Sequence, residues 1–190
     1  MLKGPHPSFG DAKGRDKAWR WVLASYLFLA AFPAALLIAA ATDLHDFKIP
    51  NWVSASLLFA YVAAGVSLGA PASVMVEGLI LGAIVLVAGF ALFAARFFGG
   101  GDAKLFAACA PWIGLHQYIE YLTATAIAGG AFALIILAFR RTPVLPVYAH
   151  APWILRMHQN QNELPYGVAI SIGGLMTFSQ TPFFKMAFAG

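Results

Sequence analysis

Along this chain, long uncharged apolar runs alternate with short stretches that gather charge, proline and glycine. Runs free of Asp, Glu, Lys and Arg occupy residues 21–41, 52–70, 78–95, 105–115, 121–139 and 166–184. A helix crossing a hydrocarbon core of about 30 Å needs about 20 mainly apolar residues, so the five runs of 18 to 21 residues predict spanning helices. The fourth run has 11 residues, and at about 1.5 Å per residue it covers only about half of that thickness. It is expected to borrow flanking residues or begin inside the membrane, screened by its neighbours. The pattern predicts an all-α fold, a polytopic membrane helix bundle of about six transmembrane helices. Residues 1–20, rich in Gly, Pro, Lys and Asp, read as a polar, disordered N-terminal tail ahead of a single membrane domain over residues 21–190.

Composition strengthens that reading. Of 190 residues, 61% are hydrophobic and 11% are charged, against about 25% charged in soluble domains. The net charge of +4 arises from Lys and Arg scattered between apolar segments, which fits loops beside anionic lipid and not a nucleic-acid surface. A single cysteine, Cys109, excludes an intrachain disulfide and a Cys-x-x-Cys zinc module. No His-Glu-x-x-His or phosphate-loop motif is present. Gly65-Val66-Ser67-Leu68-Gly69 matches the Gly-x-Ser-x-Gly nucleophile pattern but lies in a membrane-helix context, where that motif needs a strand-to-helix turn. Gly65 and Gly69, Gly78 and Gly82, and the adjacent Gly129 and Gly130 read instead as places of close helix packing. A metal site from Asp43, His45 and Asp46 lacks a further ligand, so neither metal nor cofactor is expected.

Chemistry-bearing residues concentrate in two stretches, Thr42-Asp43-Leu44-His45-Asp46-Phe47-Lys48-Ile49-Pro50-Asn51 and Gly99-Gly100-Gly101-Asp102-Ala103-Lys104. Two spans separate them, so Asp43 and Asp102 return to the same membrane face. Carboxyls at an apolar boundary are expensive to ionise, and a facing pair lowers that penalty by sharing one proton. The same state serves acid and base work: one carboxylate activates water while its protonated partner donates to a carbonyl. The glycines are expected to open backbone conformations closed to other residues and to let a substrate strand or a neighbouring helix approach Asp102 closely, Asp102 to cap the fourth helix and Lys104 to extend towards the interface. A small proton- or cation-coupled transporter or channel is the rival reading. A non-catalytic scaffold, which needs no carboxylates, is another.

With Asp43 followed by Ile49-Pro50-Asn51, and with Gly99-Gly100-Gly101-Asp102 and Pro165-Tyr166-Gly167 in that order, the chain resembles the type IV prepilin leader peptidases, membrane aspartic proteases with a Gly-x-Gly-Asp signature. The resemblance covers residues from about 30 to 180. It implies catalytic aspartates at Asp43 and Asp102, with Ile49, Pro50, Asn51, Gly99, Gly100, Gly101, Lys104, Pro165, Tyr166 and Gly167 shaping the site. It also implies removal of a basic leader from prepilins at the cytoplasmic face of a bacterial inner membrane, with the bilayer and pilus assembly machinery as surroundings and no nucleic-acid partner. With one cysteine and no large early insertion, the chain is similar to the short form that serves Flp or Tad pili, without the methyltransferase domain.

Several finer expectations follow. Asp46 is the rival to Asp43 for the first catalytic position. Asp43, at the negative end of its helix, is expected to hold the shared proton, and Asp102, opening a helix, to be ionised. The link between Arg140 and Pro165, with Arg141, Arg156 and Glu163, falls on the aspartate face by parity and is expected to gate or bind the leader. Basic residues divide equally between the two faces, so orientation rests on the resemblance.

Overall fold

The computed structural model describes residues 12–97, 99–143, 152–159 and 164–188, with backbone alone at 12–22, 24, 25 and 152. These residues form α1 (Ala12–Asp46), α2 (Asn51–Ser67), α3 (Ala72–Ala94), α4 (Gly100–Ile113), α5 (Tyr118–Arg140), α6 (Pro152–Gln159), α7 (Tyr166–Thr177), a 3-10 turn (Phe178–Gln180) and α8 (Pro182–Phe188). No strand occurs among the described residues. Three helical stretches, Tyr26–Asp46, Ala72–Ala94 and Tyr118–Arg140, are long and apolar enough to cross a membrane. The fold is the expected all-α bundle, yet α2 and α7 are shorter than their apolar runs and α4 is longer than its own.

Local chemistry accounts for each difference. Residues 12–20, expected as part of a disordered tail, are helical; Ala, Lys and Arg there carry good helix propensity. The fourth helix starts five residues earlier than the apolar run, at Gly100, and ends at Gly114, whose φ of 75° turns the chain. Its 14 residues reach about 21 Å. The last apolar run is broken: Thr181 accepts the Phe184 N–H at 3.3 Å and Pro182 opens α8, an N-cap followed by the residue that needs no N–H.

Packing centres on α4. Trp112 is fully buried, donates from Nε1 to the Leu57 carbonyl of α2 at 3.0 Å and packs against the rings of Phe32, Tyr61 and Phe183. One residue on α4 thereby ties together α1, α2 and α8. On its other side, α4 lies against the glycine stripe of α3. A Cβ on Gly82 would stand 3.0 Å from Pro111 Cγ, and one on Gly89 3.1 Å from Ala103 Cβ. This is the small-residue contact by which helices approach closely in membranes, where van der Waals packing replaces hydrophobic drive. Gly173 of α7 likewise abuts Thr125 of α5, and Gly174 meets Leu36 of α1. Gly130, in contrast, has open space around it, so the expected packing role belongs to Gly78 and Gly82 and not to that residue. Ser67 closes α2 and bonds back to the Ala64 carbonyl, a helical setting without the nucleophile turn.

Candidate active site

The C-terminal end of α1, the N-terminal end of α4 and the N-terminal end of α7 meet at one end of the bundle. Asp43 occupies the last turn of α1 and is 4% exposed; Asp102, in the first turn of α4, is 8% exposed. Both carboxyls line one cavity of about 510 Å³, together with Ile49, the three glycines and Tyr166. Helices α2 and α3 intervene, and the fold brings the two acids together across 59 residues of chain.

Each acid is held differently. Asp43 Oδ2 accepts the backbone N–H of Gly167 at 2.7 Å. Gly167 is the second residue of α7, whose N-cap is Pro165 and which has no side-chain cap of its own. Asp43 supplies that missing acceptor from another helix, facing the positive end of the α7 dipole. Asp102 is not the N-cap of α4: Gly99 holds that position, and Asp102 is the third helical residue. Asp102 lies outside the three spanning stretches, between the second and the third, and burial pushes its carboxyl from 3.8 up to about 7. The charge of Asp43 adds to the rise, and the Gly99 backbone N–H offsets part of it. Asp43 is thus held by a bond from a different helix, which the dipole of its own helix does not reveal.

Close approach, not unusual backbone geometry, explains the glycines. Among the described residues, positive φ in glycine occurs at Gly69 and Gly114, outside the run at 99–101, so the expected conformational role is corrected. A Cβ on Gly99 would fall 2.6 Å from Asp102 Oδ2, and one on Gly101 3.3 Å from Ile49 Cβ. Gly100 has more room, with Phe93 ring carbons at 3.4 Å. A Cβ on Gly167 would meet Ile49 Cδ1 at 2.7 Å and Asp43 Oδ2 at 2.8 Å. Ile49 is thus wedged between the start of α4 and the start of α7.

Pro50 is the N-cap of α2. Its neighbour Asn51 accepts a hydrogen bond from Lys104 Nζ at 2.9 Å, an exposed contact. Lys104 therefore joins α4 to α2 and does more than extend to the interface. Neither Asn51 nor Lys104 lines the cavity, nor does Pro165, which is buried at the start of α7. Asp46, the rival acid, is also outside it: His45 Nδ1 lies 2.8 Å from Asp46 Oδ1, and the Asp46 side chain is 55% exposed.

Phe47, Lys48, Arg96 and Phe97 line the cavity as well, and none was singled out from sequence. Their signal was position, since each follows a helix that ends on the aspartate face. Phe47 and Arg96 carry the two positive φ values outside glycine among the described residues, 53° and 64°. Arg96 takes the left-handed place that ends α3, with Arg96 N–H on the Phe93 carbonyl and Phe97 N–H on that of Leu92, both at 2.9 Å. Glycine is usual there; a larger residue costs about 1–2 kcal/mol. Phe98, Glu163 and residues 1–11 lie outside the described residues.

No curated protein and no solved structure matches the chain. Residues 30–134 match the model of the type IV leader peptidase family, a span that includes Asp43, Ile49-Pro50-Asn51 and Gly99 through Lys104. More than half of the sequence is covered, and the chain is a membrane protein that belongs to the type IV leader peptidase family of prepilin-processing proteases.

Proposed function

We propose that the chain is an aspartic endopeptidase that removes the leader from Flp-like prepilins at the cytoplasmic face of the bacterial inner membrane. The observation that carries this reading is the convergence of two buried carboxyls, Asp43 and Asp102, on one cavity at the end of the bundle. In the working state Asp43 is ionised and Asp102 protonated. Asp43 accepts a proton from water as its oxygen attacks the scissile carbonyl, and Asp102 donates its proton to that carbonyl's oxygen. Asp43 then passes its proton to the leaving amine, while the collapsing intermediate returns a proton to Asp102; water is consumed and both acids end as they began.

Gly99, Gly101, Ile49 and Gly167 set the spacing of the two acids. The multi-pass bundle holds the pair at a lipid boundary beside the pilus assembly machinery. A transport site is expected near the midplane on broken helices, whereas these acids sit where helices begin and end. Co-expression of an Flp-type prepilin with wild type, Asp43→Asn, Asp46→Asn and Asp102→Asn forms tests the proposal on a gel. Leader removal is expected to survive in Asp46→Asn and to vanish in the other two; processing by Asp43→Asn or Asp102→Asn overturns it.

A further inference from the structure

Helix α6 and the first turn of α7 grip the end of α1 at two points. Gly167 donates to Asp43 at 2.7 Å. Eleven positions earlier in the chain, Arg156 of α6 donates from Nη2 to the His45 carbonyl at 3.0 Å and lies 3.6 Å from Asp46 Oδ1. Helix α6 is itself fixed to the end of α5: Arg140 Nε donates to the Met157 carbonyl at 3.0 Å. His158 Nε2 lies 2.8 Å from the Thr142 carbonyl, and its ring packs edge-on against Phe139. Met157 is buried beneath these contacts. The helix therefore braces α5 against α1, and its only side-chain hydrogen bond to α1 among the described residues goes to a carbonyl two residues beyond Asp43.

We propose that Arg156 is a positioning residue for Asp43, holding the last turn of α1 so that the carboxylate stays aligned with the Gly167 amide and with Asp102. The His45 carbonyl belongs to the set that an α-helix leaves without an intrahelical partner at its C-terminus. A guanidinium satisfies that carbonyl and complements the negative helix end. The turn matters because a carboxylate displaced by about 1 Å loses a large part of its rate advantage. The ion pair with Asp46 is exposed and long, and contributes little by itself; the bond to the main chain is the one that bears on geometry.

This role rests on the proposed aspartic peptidase reading, and the test separates the two. Full-length wild type and the Arg156→Ala, Arg156→Lys, Asp46→Asn and Asp102→Asn forms are reconstituted in phosphatidylethanolamine–phosphatidylglycerol vesicles with an Flp-type prepilin, and kcat and KM for leader removal are measured. If Asp102→Asn still cleaves, the underlying reading fails, whatever Arg156 does. If it does not, Arg156→Ala is expected to lower kcat by about tenfold with KM unchanged, within the range that misplacement of a reacting group produces. Arg156→Lys, which keeps one donor, is expected to recover kcat to within about threefold of wild type. Asp46→Asn is expected to stay within about twofold. Wild-type kcat in Arg156→Ala, or a raised KM with kcat preserved, overturns the proposal. Should the alanine form fail to fold, a lysine form that folds and is as slow as about tenfold below wild type does so equally.

Discussion

Asp43 Oδ2 and the backbone amide of Gly167, 124 residues apart, are joined at 2.7 Å, so the acid that closes α1 also caps α7. The bond fixes Oδ2 at the start of α7. Gly167 leaves no space for a side chain, since a Cβ would stand 2.8 Å from Asp43 Oδ2 and 3.1 Å from Asp43 Cβ. Gly167→Ala is expected to displace the carboxylate and reduce the turnover of prepilin by about a hundredfold, the scale of a 1 Å error in placement. Circular dichroism is expected to show the helical content of wild type. Turnover within threefold of wild type would mean that the Asp43 position tolerates movement.

The three glycines before Asp102 are unequal. Gly99 and Gly101 face Asp102 and Ile49 too closely for a Cβ, whereas Gly100 has ordinary contact distances to Phe93. Gly100→Ala is expected to keep leader removal within about twofold, since alanine also improves the first turn of α4 by up to about 1 kcal/mol. Gly99→Ala and Gly101→Ala are expected to lose at least about tenfold, because the carboxyl or Ile49 must shift. Time courses of prepilin processing under identical expression decide it, and equal activity in all three variants would place the steric requirement elsewhere.

Much of this site was legible in the sequence because crossing parity acts over any distance. Two runs between Asp43 and Asp102, and two more between Asp102 and Tyr166, bring all three stretches to one end of the bundle without a coordinate. The order of the glycine run was legible only as a run. Which of Gly99, Gly100 and Gly101 is indispensable depends on Ile49 and Phe93, residues that approach from other elements. Asp43's interaction with Gly167 was hidden for the same reason: a sequence shows the helix that carries an acid, not the helix end that the acid faces. Helix α6 was concealed inside a link because eight residues give too few turns for a periodicity, and Thr181-Pro182 was a readable break passed over within an uncharged run.

The Asp102 carboxyl gives the chain a pH signature. Its folded value of about 7 lies above the ordinary 3.8, so the folded state keeps a proton that the unfolded chain releases. The contribution to stability is fully present below about 3.8, declines as pH rises between 3.8 and about 7, and is gone above that. Melting of the detergent-solubilised protein is expected to show wild type losing stability relative to Asp102→Asn across that interval, with Asp102→Asn the more stable form at pH 8. Activity is expected to fall above about pH 7, as the proton required on Asp102 is lost. Parallel melting curves for the two forms from pH 4 to pH 8 would show that burial does not perturb this carboxyl.

Placement of Asp102 also depends on how near α3 comes to α4. A Cβ on Gly89 would lie 3.1 Å from the Cβ of Ala103, the residue next to Asp102, whereas Gly130 on α5 has nothing within 4 Å. Both glycines lie in apolar helices, and composition alone does not distinguish them. Gly89→Val is expected to force α3 and α4 apart and destabilise the bundle by about 1–3 kcal/mol, the usual effect of overpacking, while lowering the rate of leader removal through the shifted first turn of α4. Gly130→Val faces open space and is expected to leave melting temperature and prepilin turnover at wild-type values. The comparison controls for the added valine itself, since a β-branched residue enters a helix in both cases. Equal melting and equal turnover in the two variants would mean that the contact between α3 and α4 is loose enough to absorb an isopropyl group, and that Asp102 takes its position from the turn at Gly99 alone.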